Sequence, residues 1–285
     1  MSEQTDRWAE WLRTRRTGGS AEERRRTLEF LAPIRDKILD DAGVGAGDTV
    51  LDVGCGDGLV GLGALDRGAD VIFSDISAAC LDDARAIAGD AARYHVAPAT
   101  DLGDVAADVV TTRSVLIYVD DKQRAFDEFF RVLRPDGRLS IFEPINRFGM
   151  EERRVTFGFS DVHGVEDLVA KLWPEDDHVN EAMIDFDERD LLAHAERAGF
   201  DEIRLELWVE VKPEPMWQTR DWNVFVNSSP NPLVPTLAEE MAAKLTPAEV
   251  ERVTAKLRPQ VERGEGTTRS AKCFLLARKA SFTSA

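Results

Sequence analysis

The chain has 285 residues, of which 43% are apolar and 31% charged, and its formal net charge at pH 7 is −17. This length allows one large domain with elaborations and a substantial core. So negative a charge argues against a nucleic acid as partner, because binding to phosphates requires basic surface. No apolar run is long enough to span a bilayer and no apolar leader is present, so we expect a cytoplasmic protein without membrane contacts.

Three cysteines are present, at positions 55, 80 and 273. Their number and spacing fit neither a disulfide framework nor a metal site. We therefore expect reduced thiols, as in the cytoplasm, and no bound metal ion.

Short runs of apolar and β-branched residues predict the strands. In chain order they lie at 49–53, 71–74, 93–97, 108–112, 138–142, 203–211 and 271–277. The sixth alternates apolar and polar residues, so it has one apolar face, whereas the last is apolar. Pro135-Asp136-Gly137 predicts a turn ahead of the fifth strand.

Helix-start and helix-stop residues place helices around these strands. Ser20 and Glu23 form a capping box that opens an N-terminal helix, which Pro33 should kink or split. Further helices are predicted over 59–66, 77–88, the region from Phe126 to Leu133, and 187–199, and after capping boxes that begin at Thr236 and Thr246.

Strands that alternate with helices in units of about thirty residues pair in parallel through right-handed crossovers. The short return to the last strand suits an antiparallel neighbour. The expected fold is α/β: a doubly wound, Rossmann-like, mostly parallel seven-stranded sheet with an antiparallel last strand, plus a helical cap. We predict an N-terminal cap at 1–45, the core at 46–146, a cap insertion at 147–185, core continuation at 186–212, a second cap insertion at 213–267, and the last strand with a tail at 268–285.

The strongest functional motif runs from Val50 to Gly58, where a strand leads directly into three alternating glycines and then a helix. Glycine allows a sharp turn and lets a ligand lie against the main chain. The exposed amides and the positive end of the following helix favour an anionic group. Asp75 ends the second strand, where a carboxylate can accept hydrogen bonds from both hydroxyls of a ribose.

Two kinds of nucleotide ligand fit this pattern. The stretch from Gly56 to Gly61 also matches G-x-G-x-x-G, the dinucleotide-binding sequence. Against a dinucleotide, Gly54 extends the run to G-x-G-x-G, and Asp52 places an acid two residues before the first glycine. An acid there suits a ligand with an ammonium and a sulfonium group and is awkward beside a pyrophosphate.

The run Leu51-Asp52-Val53-Gly54-Cys55-Gly56-Asp57-Gly58 resembles the first motif of the class I S-adenosylmethionine-dependent methyltransferases. Thr100-Asp101-Leu102, the stretch from Asp108 to Val119 and the stretch from Arg131 to Leu139 are also similar to segments of that family. The resemblance covers about residues 46–146 well, and 186–212 with 268–279 loosely.

This resemblance implies that the cofactor is S-adenosyl-L-methionine. It gives the ribose to Asp75, the adenine amino group to the segment with Asp101, and the methionine amino group to the backbone near Arg113. The cofactor-binding residues that it implies are Asp52, Gly54, Cys55, Gly56, Asp75, Ile76, Asp101, Leu102 and Arg113.

The family's reaction is an in-line methyl transfer, in which alignment of the reactants supplies roughly 7–11 kcal/mol of the barrier. A base is needed only when the acceptor carries a proton at neutral pH. Glu143, at the end of the fifth strand, is the first catalytic candidate; the alternative is a carboxylate hydrogen-bonded to nearby loop amides. His163, in the first insertion, is the second candidate.

Both insertions leave from carboxyl ends of strands, the edge at which ligands bind in open α/β sheets. With the N-terminal helices, they are expected to form a cap over the methyl group. Aromatic residues in the insertions form either the core of this cap or part of an acceptor pocket: Phe157, Phe159, Trp173, Trp217, Trp222 and Phe225.

Arginines cluster near the N-terminus, at Arg13, Arg15, Arg16, Arg24, Arg25 and Arg26. They form either a solvated helix face or a binding surface for an anionic acceptor. We expect a methyltransferase acting on a small molecule, with oxygen as the commonest acceptor atom and nitrogen or carbon still open. The alternatives are a macromolecular acceptor, or a protein that binds S-adenosylmethionine without methyl transfer. The oligomeric state stays open.

Overall fold

A computed structural model describes residues 6–149, 156, 158–173 and 181–280. The chain divides into two compact units, each built from three separate segments. We call them the helical unit and the sheet unit. The helical unit comprises Met1–Leu28, Asn146–Glu181 and Val209–Ala271; the sheet unit comprises Glu29–Ile145, Ala182–Trp208 and Lys272–Ala285.

Strands and helices alternate over the first half of the chain, as the sequence predicts. The strands are β1 Thr49–Val53, β2 Asp70–Asp75, β3 Ala92–Val96, β4 Ala107–Arg113, β5 Leu133–Pro144, β6 Glu202–Lys212 and β7 Thr268–Arg278. The α-helices are α1 Arg7–Arg13, α2 Ala21–Asp41, α3 Leu59–Leu65, α4 Ala78–Ala88, α5 Lys122–Val132, α6 Glu166–Leu172, α7 Glu188–Ala198, α8 Trp222–Asn227, α9 Leu237–Lys244 and α10 Pro247–Arg263.

The strands form one seven-stranded sheet in the order β3-β2-β1-β4-β5-β7-β6. The pairs β1–β2, β1–β4, β2–β3 and β4–β5 are parallel, whereas β7 runs antiparallel to β5. The predicted doubly wound, mostly parallel sheet with an antiparallel last strand is confirmed. Because β1 and β4 are neighbours although β2 and β3 intervene in the chain, the chain order reverses beside β1, where such folds bind ligands.

Four of the predicted helix caps form at the residues that the sequence indicates. The Ser77 hydroxyl accepts a hydrogen bond from the Cys80 amide at the start of α4. Asp187, Thr236 and Thr246 each form a reciprocal capping box with the residue three positions later. These local contacts satisfy amides that have no partner inside the helix.

Of the two effects predicted for Pro33, a kink or a split of the N-terminal helix, the split is wrong and the kink stays a prediction. Helix α2 runs without interruption from Ala21 to Asp41. Proline removes one helical hydrogen bond, but apolar side chains on both sides of it are buried against the sheet unit's core, at Leu31, Ile34, Ile38 and Leu39. Burial of this face offsets the missing bond.

The fifth strand begins earlier than the sequence predicts. β5 starts at Leu133, which pairs with Ala107, and the register then shifts before Val109. Asp136 has a left-handed φ of 63° inside this stretch. The predicted turn at Pro135–Gly137 is therefore an irregularity within β5, because β5 pairs with β4 both before it, at Leu133, and after it, at Arg138.

Each unit has its own apolar core. That of the helical unit draws on α6, α8, α9 and α10 and includes Leu168, Trp222, Met241 and Leu257. In the described part of the chain, no helix is long and apolar enough to cross a membrane. No cluster of His, Cys, Asp or Glu side chains there is arranged to hold a metal ion.

Close packing of α3 on β2 can be tested at Gly61. A Cβ at this position would collide with the ring of Phe73, which is fully buried. We expect Gly61→Ala to lower the free energy of unfolding by about 1–3 kcal/mol, as overpacking does, although alanine normally favours a helix over glycine. Urea unfolding measures the change.

Gly45→Ala is the matched control, because a Cβ there meets no atom within 4 Å and the backbone has no positive φ. Equal unfolding midpoints for the two variants would contradict the close approach of α3 to β2.

Candidate functional site

The turn that follows β1 depends on its glycines. Gly54, Gly56 and Gly58 have φ values of 63°, 54° and 82°, a region that other residues rarely adopt. A Cβ on Gly54 would also collide with the side chain of Val115. The turn is tied to β2 by the Cys55 amide, which donates to the Ser74 carbonyl at 3.0 Å.

Asp75 joins this turn to the one that follows β2. Its Oδ2 accepts from the Gly56 amide at 2.8 Å, and its Oδ1 accepts from the Ser77 amide at 2.9 Å. An ionised carboxylate has about four lone-pair positions. Asp75 therefore orders two turns at the carboxyl edge of the sheet.

Asp52 lies fully buried beneath the glycine turn. Its Oδ2 accepts from the Gly61 amide at 2.9 Å and its Oδ1 from the Thr111 hydroxyl at 3.1 Å. Burial raises the pKa of Asp52 to about 7, although both hydrogen bonds and the charge of Arg113 lower it. Both oxygens have partners within the protein, so Asp52 fixes the start of α3 against β4.

The exposed surface beside Asp75 is apolar. Ile76 is 61% exposed, and Val96, which pairs with Asp75 in the β2–β3 register, is 59% exposed. Cys55 is buried, and burial raises the pKa of its thiol far above the usual range. It therefore contributes its backbone to the turn and no reactive thiolate.

The segment predicted to meet an adenine ring is held by side chains that the sequence did not identify. The Leu102 amide donates to Glu128 Oε2 at 2.8 Å, and its carbonyl lies 3.0 Å from His95 Nε2. Hydrogen bonds from Arg131 hold the pKa of Glu128 below its usual range. The preceding Asp101 is exposed, so this segment presents a polar side chain on a fixed backbone.

Glu143 is completely buried at the end of β5. Its Oε1 accepts from the amides of Val115 and Leu116 at 2.8 and 2.9 Å, and its Oε2 accepts from Ile117 at 3.4 Å. Burial raises the pKa of Glu143 to about 7 against the effect of these amides. The geometry favours the alternative that the sequence left open, a carboxylate bound to loop amides, over a base in contact with an acceptor.

The second catalytic candidate is in a different environment. The side chain of His163 is 93% exposed in the helical unit, and its Nδ1 lies 3.1 Å from Glu166 Oε1. Catalytic histidines are usually partly buried and held by fixed hydrogen-bond partners. The ring of His163 is instead open to solvent, which favours a surface role.

The aromatic residues of the insertions contact one another. Ring centroids of Phe159, Trp217 and Phe225 are 4.9–5.7 Å apart, and Trp222 stacks on Phe225. These distances are those of packed rings, which favours a core role. Phe157 lies outside the described residues.

Some of the clustered arginines have acidic partners within the helical unit. Arg15 forms a two-pronged ion pair with Glu239, and Arg26 pairs with Glu22 and Glu23. These partners neutralise the two guanidinium groups. The observation favours a structural role for Arg15 and Arg26 over recruitment of an anionic acceptor.

Residues 51–141 match the family model described as a methyltransferase domain. The match begins in β1 and ends in β5, so it includes the glycine turn, Asp75 and the loop after β4. The chain therefore contains a methyltransferase domain of the class I, S-adenosylmethionine-dependent type, and the resemblance drawn from the first motif is confirmed.

Curated relatives are similar to this chain over part of their length. An uncharacterized protein of Mycobacterium tuberculosis is 35% identical over 40% of this chain and 43% of its own. A ubiquinone biosynthesis O-methyltransferase of Acinetobacter baylyi is 33% identical over 43% of this chain and 54% of its own. The chain thus spans about half the length of these curated relatives.

The fold is also shared with a solved structure. Phosphoethanolamine N-methyltransferase 2 of Haemonchus contortus, in complex with S-adenosyl-L-methionine, has a TM-score of 0.51 and 17% identity. The likeness covers 98% of this chain and 59% of that one. At this identity it establishes the fold alone.

Proposed function

We propose that the protein transfers the methyl group of S-adenosyl-L-methionine to a small molecule. The observation that supports this most strongly is the carboxylate of Asp75, which ties the glycine turn to the end of β2. The matching methyltransferase domain covers the same residues. The predicted cytoplasmic location remains part of the proposal.

The residues present fit the cofactor. The left-handed glycine turn leaves main chain accessible without Cβ atoms, and Asp75 lies beside this turn at the end of β2, the place of a ribose-binding acid in such folds. The exposed Ile76 gives an apolar face for an adenine ring, and the Asp101–Leu102 segment would meet its amino group. The backbone near Arg113 would hold the methionine end.

When bound, the cofactor supplies a methyl group on a positively charged sulfur, which is already activated for displacement. The protein's contribution is then orientation of the two reactants, worth roughly 7–11 kcal/mol when the geometry is right. The buried Asp52, Asp75 and Glu143 fix the backbone around this position. None of the three is required to move a proton.

We favour an oxygen atom of a small molecule as acceptor, with nitrogen and carbon as alternatives. The similarity to a ubiquinone biosynthesis O-methyltransferase supports this choice. An acceptor that is already ionised at neutral pH needs no base. An acceptor that needs no base fits this site, because neither predicted catalytic residue is placed as a base: Glu143 is fully buried and His163 is exposed to solvent.

We propose further that the helical unit is the cap predicted from the sequence. Its second segment follows the carboxyl end of β5, its third begins in the last residues of β6, and one apolar core joins elements from both. Ligands in open α/β sheets lie beyond those strand ends. A cap of this kind would exclude water and select the acceptor.

The cofactor assignment is tested by Asp75→Asn. Asparagine keeps the size but replaces one acceptor oxygen with an NH₂ group, which would face an amide of the protein or a ribose hydroxyl. We expect the affinity for S-adenosylhomocysteine to fall by roughly 1.5–3 kcal/mol, the usual worth of hydrogen bonds to a charged group. Titration calorimetry measures it.

Asp70→Asn is the matched control, because Asp70 is an exposed residue at the opposite end of the same strand. Its affinity should equal that of the unmodified protein. Equal affinities for the Asp75 and Asp70 variants would remove Asp75 from the cofactor site.

The cap proposal predicts a change in hydrogen exchange. Binding of S-adenosylhomocysteine should slow exchange in the glycine turn and also in at least one segment of the helical unit, because a lid is less mobile when closed. Exchange followed by mass spectrometry resolves both regions. Slower exchange confined to the sheet unit would mean that the helical unit is not a cap for the cofactor.

A further inference from the structure

In the loop after β4, three consecutive backbone amides donate to one side chain of β5. The amides of Val115, Leu116 and Ile117 all donate to the carboxylate of Glu143. Just before them, Ser114 has a left-handed φ of 57°, and its amide donates to the Phe142 carbonyl at 2.8 Å. A strained residue of this kind persists only where its surroundings fix it, and such residues cluster at functional sites.

Burial of Glu143 is costly unless its charge is compensated. The three amides and the positive charge of Arg113 on β4 compensate it in part. Its partner in the β5–β7 register is Cys273, whose thiol pKa burial raises to about 12, so that thiol is neutral at physiological pH. The carboxylate thus serves the loop and not an exposed acceptor.

The loop held by Glu143 contacts the glycine turn at Val115. A Cβ added to Gly54 would collide with Cγ2 of Val115, which means that the valine lies directly against the Gly54 backbone. Glu143 accepts from the amide of the same valine. The chain of contacts therefore runs from β5, through the loop after β4, to the turn after β1.

We propose that Glu143 is a positioning residue of the cofactor site: it holds Val115 against Gly54 and thereby fixes the glycine turn for binding. This inference rests on the proposed function, since it assigns a role at the same site. It differs from the role of a base, because Glu143 is fully buried and bound to loop amides. The ionised carboxylate accepts from the three amides more strongly than the protonated acid does, because protonation removes the charge and converts one acceptor position into a donor.

The first test compares cofactor affinity at pH 6 and pH 8. Because the pKa of Glu143 is near 7, the ionised fraction rises across this range. If only this form is competent, the affinity of the unmodified protein for S-adenosylhomocysteine should be about tenfold weaker at pH 6 than at pH 8. Titration calorimetry at the two pH values measures both constants.

The Glu143→Gln variant isolates the contribution of this carboxylate. It should bind about tenfold more weakly at pH 8, because the amide NH₂ faces a backbone N–H, and its affinity should change less with pH. Asp52 also titrates near pH 7 beside Arg113. It remains in the variant, so the difference between the two proteins reports on Glu143.

Asp108→Asn controls for a general loss of stability. Asp108 accepts from the Thr49 amide at 2.8 Å and pairs with Arg134, at the amino ends of β1 and β4. This variant should lose stability and keep the affinity of the unmodified protein at both pH values. Val115→Ala should weaken binding while retaining the pH dependence, because it removes the contact to Gly54 and leaves Glu143 in place.

The proposal is overturned if Glu143→Gln binds with unchanged affinity and pH dependence. It is also overturned if Asp108→Asn weakens binding equally, since affinity would then follow stability alone. Failure of the unmodified protein to bind S-adenosylhomocysteine at either pH would instead overturn the proposed function itself. Normal binding with no effect of the Glu143 variant would leave that function standing.

Discussion

Backbone amides at the carboxyl edge of the sheet are satisfied by buried carboxylates, and the geometry of the site depends on these bonds. Asp75 accepts from the turn after β1, Asp52 from the first turn of α3, and Glu143 from the loop after β4. Glu128 does the same for the segment after β3. Each carboxylate orders a turn that regular strand pairing cannot reach, because buried amides need partners.

This arrangement has an electrostatic cost. Asp52 and Glu143 are both fully buried, and burial raises the pKa of each to about 7. Arg113 on β4 lowers both pKa values, so one guanidinium stabilises two buried anions on β1 and β5, the strands on either side of it. The two carboxyl groups therefore bind protons more tightly in the folded protein than in the unfolded chain, so the free energy of unfolding falls as the pH rises from about 4.5 to 7. The fixed backbone of the site costs the protein some stability.

The sequence predicts the parts of the site whose causes are local. The glycine run requires positive φ at residues close in sequence, and Asp75 follows from its place at a strand end. Glu143 and Glu128 could not be assigned in this way, because their partners are 26–28 residues distant along the chain. Pro33 shows the same limit, since only packing against the sheet determines whether a helix continues through it. The sequence therefore predicts features that depend on neighbouring residues, but not which distant segments hydrogen-bond or pack together.

We propose that the glycine turn and Asp75 bind S-adenosylmethionine and not a dinucleotide, although the stretch from Gly56 to Gly61 also matches the G-x-G-x-x-G pattern. Titration calorimetry of the unmodified protein with S-adenosylhomocysteine and, separately, with NADH tests this choice directly. We expect micromolar-range binding of S-adenosylhomocysteine, about −8 kcal/mol, and no measurable binding of NADH. Binding of NADH without binding of S-adenosylhomocysteine would contradict this proposal.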